Sequence, residues 1–170
     1  MSIIREEESK PLIVHTGKFT GRSPKDRYFV KTKLNKNYID WGKRNQPVSE
    51  KTFDIVFQKI QKHLIQKENY SFKGNVISDS LNSYRINFLT EVRWYIQFAK
   101  NIFRNDIFSN FVDTIKIYHA PSLTLENNFD EINNSNFVIL HPDKRIILIS
   151  GTGYAGEIKK SVFSLLNIIL

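Results

Sequence analysis

Apolar positions recur along this chain with two periods, and the switches between them divide it into elements. Residues 12–15 and 27–32 each read as a short strand, with a Gly-rich loop between them. Residues 35–47 form a polar connection, in which the Trp41 indole is expected to anchor the loop on the core. Ser49, just beyond Pro47, is a good N-cap for a helix carrying Phe53, Val56, Phe57, Ile60 and Leu64 at helical spacing. Lys59, Lys62 and Lys67 mark its solvated face, and His63 reads as an ordinary surface residue there. Residues 70–78 and 84–89 pattern as strands around a polar turn at 79–83. Thr90 is then expected to cap a second helix, whose apolar face (Val92, Tyr95, Ile96, Ala99, Ile102, Phe103) is widened by Trp94 and Phe98. A strand over 114–118 and an Asn-rich loop over 126–136 follow. Two apolar runs, 137–140 and 145–150, are joined by His141-Pro-Asp-Lys144, good turn chemistry for a hairpin in which His141 is a turn residue. The last element is a helix with Ile158, Val162, Leu165, Leu166 and Ile169 at helical spacing. It stops at Leu170 inside an apolar run with no Gly, Pro or basic cap, so the chain reads as a fragment.

Composition narrows the possibilities. The 170 residues fit one domain, residues 11–170, after a polar segment at 1–10. There is no cysteine, so disulfides, thiolate metal sites and a cysteine nucleophile are excluded. No apolar run reaches the roughly 18 residues of a membrane span and no signal peptide is recognisable, which makes the cytoplasm the expected location. The net charge of +8 invites a nucleic-acid partner. However, residues 16–51 hold ten Lys/Arg against three Asp/Glu, so +7 lies in one segment and not along a helix face. The chain also has 22 Ile and 16 Asn but three Ala, a bias toward AT-rich codons that inflates lysine too. The rival reading is a non-enzymatic basic module that binds nucleic acid or another polyanion through residues 16–51, for which the basic charge is weak evidence.

Two stretches carry chemistry. His15-Thr-Gly-Lys-Phe-Thr-Gly-Arg-Ser-Pro-Lys-Asp-Arg27 combines glycines, which let main-chain N–H groups converge, with the planar donor fork of Arg22 and the point charges of Lys18 and Lys25. It reads either as a solvated basic loop or as an anion site held by a sheet. Gly151-Thr-Gly-Tyr-Ala-Gly156-Glu-Ile-Lys-Lys160 satisfies the Gly-x-Gly-x-x-Gly pattern, but its strand is half of a hairpin, and the 170 residues are over before the position about 20 residues onward where a dinucleotide fold needs an acid. Glu157 stands where a P-loop needs lysine. Lys159 and Lys160, expected in the first turn of a helix, are disfavoured there by the helix dipole, which points to a compensating anion or metal. Arg85 and Arg93 are lesser candidates for anion contacts, with surface or ion-paired roles favoured.

Phe19-Thr-Gly-Arg-Ser-Pro-Lys-Asp-Arg27, then Tyr84-Arg85 leading to Thr90-Glu91 and a Trp-containing helix, then Gly151–Lys160, closely resemble ATP-dependent phosphoenolpyruvate carboxykinase in order and spacing. Trp41-Gly42 followed by Asn45-Gln-Pro47 resembles that family's connecting loop. The resemblance implies an α/β fold, a mixed sheet with flanking helices, forming most of the family's N-terminal domain. It implies conversion of oxaloacetate and ATP to phosphoenolpyruvate, CO2 and ADP in gluconeogenesis, with Mg2+ and Mn2+ as metals. It also implies site residues. Arg22 would hold the substrate carboxylate and orient CO2. Tyr154 would line the phosphoenolpyruvate and CO2 pocket. Lys159 would stabilise charge on the transferring phosphoryl group. Lys160 would bind substrate, meet ATP phosphate oxygens and, when neutral, ligate Mn2+. The family's P-loop, the histidine and aspartate of its Mn2+ site, its Mg2+ ligands and its adenine pocket fall beyond residue 170. His15 stands where the family pattern leads one to expect an acidic or other polar residue.

Overall fold

The computed structural model describes residues 14–16, 20–77, 82–105, 110–125 and 129–170. The elements run in the order β1 (Arg27–Val30), β2 (Gln46–Val48), α1 (Glu50–Gln66), β3 (Tyr70–Val76), β4 (Tyr84–Thr90), α2 (Trp94–Ile102), β5 (Asp113–Ala120), β6 (Phe137–His141), β7 (Ile146–Ser150) and α3 (Gly156–Ile169), with a 3-10 turn at Pro24–Asp26 before β1. All seven strands join one sheet in the order β2-β1-β6-β7-β5-β4-β3. Pairs β1/β2, β1/β6, β4/β5 and β5/β7 are parallel, and β3/β4 and β6/β7 are antiparallel. The expected α/β fold with a mixed sheet and flanking helices is the one observed.

Helices cover both faces of the sheet. Phe53, Val56, Ile60 and Leu64 of α1 pack with Tyr28, Val30, Phe137, Ile139 and Leu148 on one face. Tyr95 and Ala99 of α2 and Ile158, Val162 and Leu165 of α3 pack with Phe29, Ile86, Phe88, Ile117, Val138, Leu140 and Ile149 on the other. Successive residues of β6 and β7 therefore face opposite cores, which is why both strands are apolar without alternation and buried at every position. Each fully buried large apolar side chain contributes about 1.5–3 kcal/mol.

Most expected elements are present. Ser49 caps α1, its Oγ accepting the Thr52 N–H at 3.2 Å, and the Trp41 indole donates to the Lys36 carbonyl while packing against the core. The hairpin of β6 and β7 turns at 142–145.

Several expectations are corrected, among them that of His141 as a turn residue, since it ends β6. Residues 14–16 lie outside any strand, and the remainder of the strand expected at 12–15 falls outside the described residues. The connection at 35–47 ends in an unforeseen strand, β2, because parallel pairing with β1 satisfies its backbone. Thr90 ends β4 and does not cap α2, which starts at Trp94 without a side-chain cap. His63 is not an ordinary surface residue: its ring Nε2 lies 3.1 Å from a Glu91 carboxylate oxygen and 3.3 Å from Ser122 Oγ.

The topology fixes where a site can form. Strands β4, β5 and β7 are parallel, so Thr90, Ala120 and Ser150 end at one edge of the sheet. Strand β1 runs parallel to β6, and β6 antiparallel to β7, so β1 begins at that same edge. The Gly-rich loop enters β1 there, and the 151–156 turn leaves β7 there. Ligands of open α/β sheets bind outside the carboxyl ends of the strands for this reason.

Candidate functional site

At this edge the end of the Gly-rich loop is held by side chains from three directions. Asp26, buried, accepts from the Ser23 hydroxyl and from Asn134 Nδ2, tying the loop to the turn before β6. Arg27 donates to Ser164 Oγ of α3 at 3.1 Å and to the Arg44 carbonyl at 3.2 Å. Burial lowers the Arg27 pKa, the adjacent Arg22 charge adds to the effect, and Glu157 opposes it. Glu157 is the third tether. Its buried carboxylate accepts the Ser23 N–H at 3.1 Å and lies 3.8 Å from Arg22 Nε. An acid in the first turn of a helix is favoured by the dipole, and here it also joins the two motifs, 134 residues apart.

The 151–156 turn is built with equal constraint. Thr152 Oγ1 accepts the Tyr154 N–H at 3.2 Å, and the Tyr154 carbonyl accepts the Glu157 N–H at 3.1 Å. A Cβ on Gly153 would lie 2.7 Å from Tyr95 Oη and 3.0 Å from the His15 carbonyl, so only glycine lets the chain pass between them. A Cβ on Gly156 would lie 2.5 Å from the Tyr154 ring, which rests over that glycine. Beneath the turn sits His119, fully buried, with burial lowering its pKa to about 4 against smaller opposing pulls from the Thr152 carbonyl and Glu91.

A cavity of about 560 Å³ opens between the two motifs, lined by Thr16 and Thr20 of the loop, by Tyr154 and Gly156 of the turn, and by Trp94 and Phe98 of α2. It has the size of a small-molecule site and the mixed polar and aromatic wall such sites have. A second, of about 320 Å³, lies against Gly151 and Gly153 and is bordered by His15 and Ser122.

The sequence-derived candidates fall as follows. Tyr154 lines the larger cavity. Arg22 does not line it, but its side chain is 35% exposed beside Glu157 at the loop's end. Lys159 closes the first turn of α3 and Lys160 opens the second, and both are exposed, with Lys160 Nζ lying 5.8 Å from the Phe163 ring centre. Lys25 is exposed, and Lys18 falls outside the described residues. Among the described residues no group of three His, Asp or Glu side chains is placed to hold a metal ion. Neither Lys159 nor Lys160 lines the larger cavity.

Sequence reasoning missed Glu157, Tyr95, Thr152 and His119 as organisers of the site. Glu157 carried a signal, as an acid directly after the Gly that opens a helix. His119 and Tyr95 carried none, since each is one residue in an apolar pattern.

The family of phosphoenolpyruvate carboxykinase matches residues 4–170. Among individual proteins, the chain is 39% identical over 168 residues to phosphoenolpyruvate carboxykinase (ATP) of Christiangramia forsetii, covering 97% of this chain and 32% of that protein. It is 38% identical over 160 residues to the protein of the same name from Lysinibacillus sphaericus, and 39% identical over 160 residues to that of Staphylococcus aureus, in both cases covering 91% of this chain and 30% of the relative. The chain thus spans about a third of the length of these relatives. A match over nearly every residue, with both motifs meeting at one sheet edge, places the chain in the phosphoenolpyruvate carboxykinase family.

Proposed function

We propose that this chain supplies one wall of an ATP-dependent carboxykinase site that interconverts oxaloacetate and ATP with phosphoenolpyruvate, CO2 and ADP, a gluconeogenic reaction carried out in the cytoplasm. The observation that carries this reading is the meeting of the Gly-rich loop and the 151–156 turn across one cavity, bridged by Glu157. In this reading the planar guanidinium of Arg22 holds a substrate carboxylate and orients CO2, with Glu157 steadying it from behind. Tyr154 offers a flat apolar wall with a polar tip to the three-carbon substrate. Phosphoryl transfer asks a protein mainly for positioning and charge neutralisation. Lys159 and Lys160 supply cations for the transferring group and for ATP phosphate oxygens. Lys160 is also one donor toward Mn2+, in a ligand set that the described residues do not complete, and Mg2+ belongs with the nucleotide. The chain's own chemistry is therefore anion recognition.

A chimera tests the reading: this chain in place of the matching third of the Christiangramia forsetii relative. It is expected to form phosphoenolpyruvate from oxaloacetate and ATP, and Arg22→Ala within it should raise the KM for oxaloacetate by about tenfold or more, the worth of one charged hydrogen-bonding group. A folded chimera without turnover, or an Arg22→Ala variant with unchanged KM, would count against the assignment.

A further inference from the structure

The 151–156 turn leaves β7 without a side-chain cap for α3, so something else must fix the path that aims Tyr154 at the cavity. Two consecutive carbonyls of the turn are held from below. His119 Nε2 lies 3.0 Å from the Thr152 carbonyl oxygen, and Tyr95 Oη donates to the Gly153 carbonyl at 2.6 Å. The two rings support each other edge to face, with centres 4.4 Å apart.

The tautomer of His119 follows from its partners. A carbonyl only accepts, so Nε2 carries the hydrogen. In the neutral ring Nδ1 then accepts, and the Thr90 hydroxyl, 3.0 Å away, donates to it. Thr90 Oγ1 in turn accepts the Val92 N–H at 3.4 Å. Thus a chain of hydrogen bonds runs from the segment after β4, through β5, to the turn after β7. No polar atom of His119 is left over. Full burial makes the arrangement specific, since either a flipped tautomer or an apolar ring would strand a carbonyl or a hydroxyl without a partner.

We propose that His119, as the Nε2–H tautomer, and Tyr95 are positioning residues that set the backbone of the 151–156 turn and thereby hold Tyr154 at the cavity and α3 at its starting angle. What that site acts on rests on the carboxykinase reading; the clamp itself rests on these contacts alone.

The experiment uses the full 170-residue chain, nitrogen-15 labelled. The ring nitrogens of His119 should give the spectrum of a single neutral Nε2–H form at pH 7. A Nδ1–H form, or an average of the two, would overturn the proposal. Amide exchange is then followed at Tyr154, Glu157 and Ile158, with α1 amides as the reference for global stability. Tyr95→Phe, which removes one oxygen, and His119→Phe should each speed the turn amides by about tenfold relative to α1. His119→Gln, which can donate to the carbonyl and accept from Thr90, should restore most of that protection. Turn amides that exchange as in the unsubstituted chain, or acceleration spread evenly over α1 and the turn, would overturn it. If His119→Phe does not fold, the ring spectrum and Tyr95→Phe still decide. Neither readout involves turnover, so an inactive chimera and a failed clamp are separate results.

Discussion

Two buried histidines give individual residues a measurable role in stability. Burial lowers the pKa of His119 to about 4, against the opposing pulls of the Thr152 carbonyl and Glu91. At His141, burial and the nearby Lys144 charge lower it to about 4, opposed by Asp143 and Asp54. Each folded-state value lies below the ordinary 6.5, so the unfolded chain binds more protons between pH 6.5 and 4. Their neutral forms therefore contribute fully above pH 6.5, and the contribution is lost as pH falls through the folded values. For His119 the full effect is about 3 kcal/mol. Urea unfolding at pH 7, 5.5 and 4 should show stability falling steadily, with a shallower fall in His119→Gln; an equal fall in that variant would refute this account. Neither histidine was legible as buried. His141 was expected only as a turn residue, yet it ends β6 with its ring edge to face with Phe53, 4.8 Å between centres. Sequence shows which atoms could titrate, but burial is set by what packs over them.

Among the elements, α1 was the most legible, and the reason is local. Its cap is one residue away from its first turn, and its apolar stripe repeats with the helix's own period, so no distant partner is needed to recognise it. Ser49 does more than its position implies. Besides accepting from Thr52, its hydroxyl donates to Glu131 at 2.8 Å, and Glu131 also accepts the Ser49 N–H at 3.2 Å. Ser49→Ala should thus lower unfolding free energy by about 1 kcal/mol, the usual cost of a lost cap, as read by urea denaturation at neutral pH. A change within error of zero would show that the Glu131 contact to the backbone suffices. Strand β2 is the opposite case. Three residues including Pro47 carry no period, and only the edge of β1 makes them a strand.

At the scale of the molecule, the seven strands and three helices among the described residues form three layers whose open edge gathers both motifs, and no helix among those residues is long and apolar enough to cross a membrane. The chain covers 30–32% of its relatives, and its 170 residues contain no Gly-x4-Gly-Lys loop. The purified chain alone is accordingly expected to form no phosphoenolpyruvate from oxaloacetate and ATP. A coupled assay that detects turnover would overturn this. The sequence by itself determined which residue types stand in the two motifs, the helices with a continuous apolar stripe, and the family the chain belongs to, because each depends on residues near one another in the chain. Only the tertiary structure decided that the Gly-rich loop and the 151–156 turn share a cavity, that Glu157 joins them, and that His119 and Tyr95 hold the turn from beneath. Those facts follow from parallel pairings between strands far apart in sequence, which bring chain ends to a common edge and which no local pattern of polar and apolar residues encodes.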